Sequence, residues 1–178
     1  AYTVSRRSDY TAIVVIGVDR EWNTYLLEIE RFKTEKISDM FKAILALHGK
    51  YGFTKIGAET TGAQKTIVKE LQDQYIKPNG MYLSVVELKH SAHEGTKEER
   101  IGAVLEPRYD NMQIFHYRGG NCTILEDELV NRHSAHDDIM DALASAISIS
   151  VPPKGMLGRD RERNKDVIYH PRFGGIAA

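Results

Sequence analysis

The chain has 178 residues, with 24 Lys+Arg against 25 Asp+Glu (formal net charge −1), 42% hydrophobic and 28% charged. That composition belongs to a globular chain of about one domain and excludes a disordered polyelectrolyte, so any basic surface has to be local. The lone cysteine, Cys122, excludes an internal disulfide framework and a multi-cysteine zinc site, and makes a reducing compartment the expectation. The longest apolar run, residues 12–18, is too short to cross a bilayer, so no membrane association is expected, and no signal peptide is recognisable. The start on Ala-Tyr-Thr without Met reads as a piece cut from something longer.

Residues 11–18 (TAIVVIGV) are a β-branched apolar run that predicts a buried strand. Residues 19–23 (DREWN) are turn-like, and 24–32 (TYLLEIERF) predict the second arm of a hairpin. Its partial alternation sets Tyr25, Leu27 and Ile29 on one face against Leu26, Glu28 and Glu30. Ile37, Met40, Phe41, Ile44, Leu45 and Leu47 recur at helical spacing, with Gly49 where a C-terminal cap belongs. Residues 54–58 predict a short strand ending at Glu59, 60–62 a turn, and 63–75 a helix with Ile67, Val68 and Leu71 inward, broken by Pro78-Asn79-Gly80. Residues 82–88 predict another strand and 90–96 a polar loop. A helix over 97–105 buries Ile101, Val104 and Leu105 and stops at Pro107. A short strand over 113–117, a loop over 118–121 and a helix over 125–132 follow. The last helix spans about 136–150, with Ile139, Leu143 and Ile147 on one stripe, and Pro152-Pro153 ends it. Residues 154–178 read as a tail. A hairpin followed by strand–helix alternation predicts an α/β fold, a mixed sheet with helices on both faces.

The densest chemistry lies in residues 136–144 (HDDIMDALA). Asp138 and Asp141 share a helical face, and Asp137 and Asp141, four apart, can also converge. Three carboxylates within two turns repel one another unless a cation intervenes, and hard divalent cations prefer oxygen ligands. The plainer reading is that the acids complement the helix dipole. His136 can orient a carboxylate, bind metal, or simply lead into the helix. Glu59 closes a buried strand, where sheet enzymes place functional groups; otherwise it is a surface acid at a strand end. Asp9, which opens the first strand, is either a metal ligand or a loop acid paired with Arg6 or Arg7. Residues 57–66 (GAETTGAQKT) imitate a phosphate loop, but two residues separate Gly62 from Lys65, so no ATPase site of that kind is expected. Cys122 lacks the context of a nucleophile. His90 and His93, beside Glu94, form either a metal pair or a solvated loop. Trp22 and Tyr25 sit at the hairpin and need no function.

These pieces carry a resemblance. SDYTAIVVIGVD, YLLEIERF, IGAETTG, KEERIGAVLEP and HDDIMDALASAI resemble the nuclease domain of a tailed-bacteriophage terminase large subunit, in the RNase H-like, RuvC-like superfamily. The resemblance covers about residues 1–150, leaving 151–178 as a C-terminal tail, and its most specific piece is HDDxxDALA. It implies an RNase H-like mixed β-sheet flanked by α-helices on both faces. It implies a Mg²⁺- or Mn²⁺-dependent endonuclease with a two-metal site, cutting double-stranded DNA concatemers during genome packaging. Glu59, Asp138, Asp141 and Asp9 match its catalytic and metal positions, with Asp137 as a further ligand and His136 behind them. Arg6, Arg7, Lys97, Arg100 and Arg132 are expected to touch the DNA backbone. The expected partners are the terminase ATPase domain, the portal protein and the small terminase subunit, in the host cell cytoplasm. One departure is expected to matter: the family's first strand, ending in a catalytic Asp, lies ahead of the segment that opens at Ala1. Asp19, in the hairpin turn, is no substitute. Two rival readings share the residues: a RuvC-like Holliday junction resolvase, and a non-catalytic DNA- or portal-binding module. The tail, with Lys154, Arg159, Arg161, Arg163, Lys165 and Arg172 against Asp160, Glu162 and Asp166, is locally basic and reads first as a flexible terminus.

Overall fold

A computed structural model describes residues 10–34, 36–59, 68–88, 95–131 and 137–153. Its elements run β1 (Thr11–Val18), β2 (Thr24–Phe32), α1 (Ile37–Tyr51), β3 (Lys55–Glu59), α2 (Leu71–Ile76, wound as a π-helix), β4 (Ser84–Leu88), α3 (Lys97–Asp110), β5 (Ile114–Phe115), α4 (Asn121–Val130) and α5 (Asp138–Ile149). The described strands make two sheets, one ordered β1-β2-β5 and the other β3-β4. β1 and β2 are antiparallel, while β2–β5 and β3–β4 are parallel, so the three-stranded sheet is mixed, as expected, and the two-stranded one is parallel.

The hairpin turn is built by Asp19. Its carboxylate accepts the N–H groups of Glu21 and Asn23, the Asn23 side-chain amide and the Tyr25 hydroxyl. Slight burial raises its pKa, and these hydrogen bonds outweigh that and lower it. Asp19 is thus a structural acid.

The predicted alternation of β2 is corrected. Val15 stands opposite Glu28 but Ile16 stands opposite Leu26, so Leu27 is the extra residue of a β-bulge. The bulge resets the two-residue period. Thr24, Leu26 and Ile29 are the inward set, each at most 4% exposed, and Tyr25 is 40% exposed.

Alternate residues of β1 feed two cores. Ala12, Val14 and Ile16 pack with Leu26, Ile101, Leu105, Leu125, Ile139 and Leu143, joining β1 and β2 to α3, α4 and α5. Ile13 packs on the other side with Phe41, Ile44, Leu71 and Ile56, joining β1 and β3 to α1 and α2. Helices therefore cover both faces. The stripe Ile139, Leu143 and Ile147 is buried as predicted. Close approach of α5 to β3 needs a glycine: a Cβ on Gly57 would stand 3.0 Å from Ile149 Cδ1.

Several bounds differ from expectation. α3 runs through Pro107 to Asp110. A proline near a helix end removes only one late hydrogen bond, and the Arg108 guanidinium supplies another by donating to the Val104 carbonyl at 2.7 Å. α4 starts at Asn121 rather than Leu125, because Gly120 (φ 56°) turns the chain and the Asn121 amide donates to the Ile29 carbonyl at 2.8 Å. β4 starts at Ser84, leaving Tyr82 96% exposed, and β5 has only two residues. The expected strand-ending turn at 60–62, the start of the 63–75 helix, most of the 90–96 loop and the 154–178 tail lie outside the described residues.

Between the two sheets lies an apolar groove of roughly 370 Å³. Ile13, Val15 and Val18 of β1 line one side, Ile56 and Ala58 of β3 the other, and Ile149 contributes from α5. β1 is the end strand of its sheet and β3 pairs only with β4 among the described residues, so two strand edges flank this groove.

Candidate metal and nucleic-acid site

The acids of the last helix are placed by two helix N-termini. α3 starts from a capping box: the Thr96 hydroxyl accepts the Glu99 N–H at 3.2 Å, and the Thr96 N–H donates to Glu99 Oε2 at 2.7 Å. This fixes Lys97 as the first helical residue. At the start of α5, Asp137 occupies the cap position but makes no side-chain cap hydrogen bond. Glu128 of α4 does that work. Its Oε2 accepts the Met140 N–H at 2.8 Å, and the Ile139 N–H also contributes. The Asp137 carboxylate is thereby free to turn toward Lys97.

Lys97 Nζ stands 2.9 Å from each Asp137 oxygen and 3.2 Å from Asp141 Oδ2. Asp141 is buried, and Lys97 is half-buried over it. Burial pulls the ammonium pKa down, but the hydrogen bond to Asp137 and the charge of Asp141 outweigh it and hold it above its ordinary value. Asp138 turns elsewhere, its Oδ2 3.7 Å from Arg31 Nη2. Arg31 stacks over the Tyr10 ring, 3.5 Å from guanidinium carbon to centroid, and its Nε has no hydrogen-bond partner.

Behind Asp138 lies Glu128, 2% exposed, with Oε1 lacking a hydrogen-bond partner. Burial pushes its carboxyl up to about 7; the Met140 N–H opposes this, the Asp138 charge adds to it, and Arg31 opposes it. Glu128 and Arg31 were not legible as site residues. Both sit in segments whose pattern reads only as a helix and a strand, and only the packing of α4 and β2 on α5 brings them to the acids.

The structure therefore brings Asp137, Asp141 and Lys97 together and sets Asp138 beside them. Arg100 lies one turn past Lys97 on α3. Glu59 closes β3 opposite Leu88, and only its backbone is described. Asp9, Arg6, Arg7, Arg132, His136, His90 and His93 lie outside the described residues. Cys122 is fully buried in the core, where burial, chiefly, raises its thiol pKa, so it is structural rather than exposed. Among the described residues no three His, Cys, Asp or Glu side chains group as a metal site, and no helix is long and apolar enough to cross a membrane. The donor chemistry still fits a hard cation, since two carboxylates converge on one cationic nitrogen and Mg²⁺ commonly takes one or two protein carboxylates plus water and phosphate oxygens.

The large terminase nuclease from thermophilic phage G20c shares this architecture with a TM-score of 0.60 at 22% identity, over 83% of this chain and 79% of that one. Its zinc-bound crystal structure matches with a TM-score of 0.55 at 25% identity, over 84% of this chain and 86% of that one. Its cobalt-bound structure matches at 0.55 and 23%, over 83% and 85%. The fold is that of a phage large-terminase nuclease. No protein-family model and no curated protein matches the chain by sequence. The terminase-nuclease likeness supports a nuclease of RNase H-like fold.

Proposed function

We propose that the chain is the nuclease domain of a phage packaging terminase, a Mg²⁺- or Mn²⁺-dependent endonuclease that cuts double-stranded DNA concatemers in the host cell cytoplasm. The observation that carries this reading is the convergence of Asp137 and Asp141 on one cation position, with Asp138 alongside, in a fold shared with a terminase nuclease solved with zinc and with cobalt. Glu59, Asp138, Asp141 and Asp9, with Asp137, are the residues to hold the ions, and His136 would support them. Bound ions would supply an activated water and charge stabilisation at the leaving 3′-oxygen. The chain's own part is positional. Glu128 holds the first turn of α5, from which Asp137 and Asp141 meet at Lys97, and Arg31 steadies Asp138. Arg6, Arg7, Lys97, Arg100 and Arg132 supply backbone contacts that are strong, salt-sensitive and indifferent to sequence. The domain would occupy residues 1–150, with the tail, the ATPase domain, the portal and the small subunit completing the packaging machine. The groove between β1 and β3 offers two strand edges and an apolar floor, suited to the first strand that the resemblance implies.

A second reading, a non-catalytic DNA- or portal-binding module, is favoured by one observation: Lys97 and Arg31 already pair with the acids. Nicking of supercoiled plasmid with Mn²⁺, with Mg²⁺ and with EDTA separates the two. Metal-dependent nicking that is lost in Asp138→Asn and in Glu59→Ala, with folding retained by circular dichroism, is expected. Nicking that survives in both variants rules out this carboxylate site. Absence of any Mn²⁺ binding favours the module.

A further inference from the structure

Lys97 sits where electrostatics within its own helix disfavours it. It is the first residue of α3, at the positive end of that helix, where acidic residues are the stabilising choice. The capping box fixes this start, and the ammonium is directed at the acids of α5, 2.9 Å from both oxygens of Asp137 and 3.2 Å from Asp141. A cation that bridges two carboxylates from one point occupies the position that a hard metal ion bridging them would take.

Resting on the nuclease reading above, we infer that Lys97 is a built-in counter-cation: its ammonium holds the Asp137–Asp141 pair together and competes with the divalent ion for that position. An ion entering between the two aspartates has to displace the ammonium, because two cations cannot share the site at contact distance. Lys97 then swings toward solvent, where its long side chain brings the ammonium within reach of a DNA phosphate. Metal loading and phosphate contact become two halves of one exchange, in which the phosphate takes over the ammonium that the metal releases.

The test is metal binding by the whole chain without DNA, read by calorimetry with Mn²⁺ alone. Lys97→Met is expected to bind Mn²⁺ about tenfold tighter than the unmodified chain, with Lys97→Arg, which keeps the charge, close to it. Equal or weaker binding by Lys97→Met, in a chain whose unmodified form does bind Mn²⁺, overturns the inference and leaves the nuclease reading standing. No Mn²⁺ binding by either form overturns both. Should Lys97→Met fail to fold, the unmodified protein still answers. Acetylation of lysines followed by mass spectrometry should show Lys97 labelling rise several-fold on adding Mn²⁺, while exposed Lys42 stays constant. Labelling of Lys97 that does not respond to Mn²⁺ refutes the exchange.

Discussion

Glu128 offers a prediction whose size follows from its surroundings. The carboxylate is 2% exposed, one oxygen is without a hydrogen-bond partner, and its pKa is pushed from 4.5 to about 7, first by burial. Below pH 4.5 the group is protonated in both folded and unfolded chains, and stability does not depend on it. Between 4.5 and about 7 the unfolded chain releases the proton while the folded chain keeps it, so stability falls as pH rises. Above about 7 both forms are ionised and the folded state carries a buried charge. At about 1.4 kcal/mol per pH unit, the whole window amounts to about 3 kcal/mol. Glu128→Gln keeps an oxygen for the Met140 N–H and removes the proton. Urea unfolding in EDTA at pH 4.5, 6 and 8 should show the unmodified chain losing about 3 kcal/mol relative to the variant across that range. The acids whose pKa values are lowered, Glu28, Asp19 and Asp73, release their contributions at lower pH and leave this window clear. Parallel stability curves for the two proteins would refute a neutral, buried Glu128.

Two further outcomes concern the scaffold that aims the site. Leu125→Ala, at a fully buried position between α4 and the main core, should cost about 3 kcal/mol in urea unfolding, by lost burial and a residual cavity. Thr96→Ala removes the hydroxyl half of the α3 capping box and should cost about 1 kcal/mol, while Thr96→Ser should recover most of it.

What could be read without the fold was whatever depends on neighbours along the chain. The β-branched run of β1, the 3.6-residue stripe of α5 and the cluster of three acids are local patterns, and local patterns survive into the structure because burying one face of each element drives folding. The order of strands and helices, and with it the mixed sheet, followed from the same signals. Where local reading failed, a long-range contact had taken over. The bulge at Leu27 exchanges the expected faces of Tyr25 and Leu26 while Ile29 stays inward, and a bulge is a property of the pairing with β1 rather than of β2 itself. The acids illustrate both sides. That Asp137, Asp138 and Asp141 would crowd one helix start was legible from their spacing. That Lys97 and Arg31 pair with them, and that Glu128 caps the helix they stand on, was not, because these residues are 40, 107 and 12 positions away (137 − 97, 138 − 31 and 140 − 128) and meet them only when α3, β2 and α4 close around α5. Patterns along the chain settle which elements form and where charge accumulates. Which charges answer one another depends on how the elements pack, since Coulomb attraction and burial act on distance in space, and spacing along the chain sets that distance only within one element.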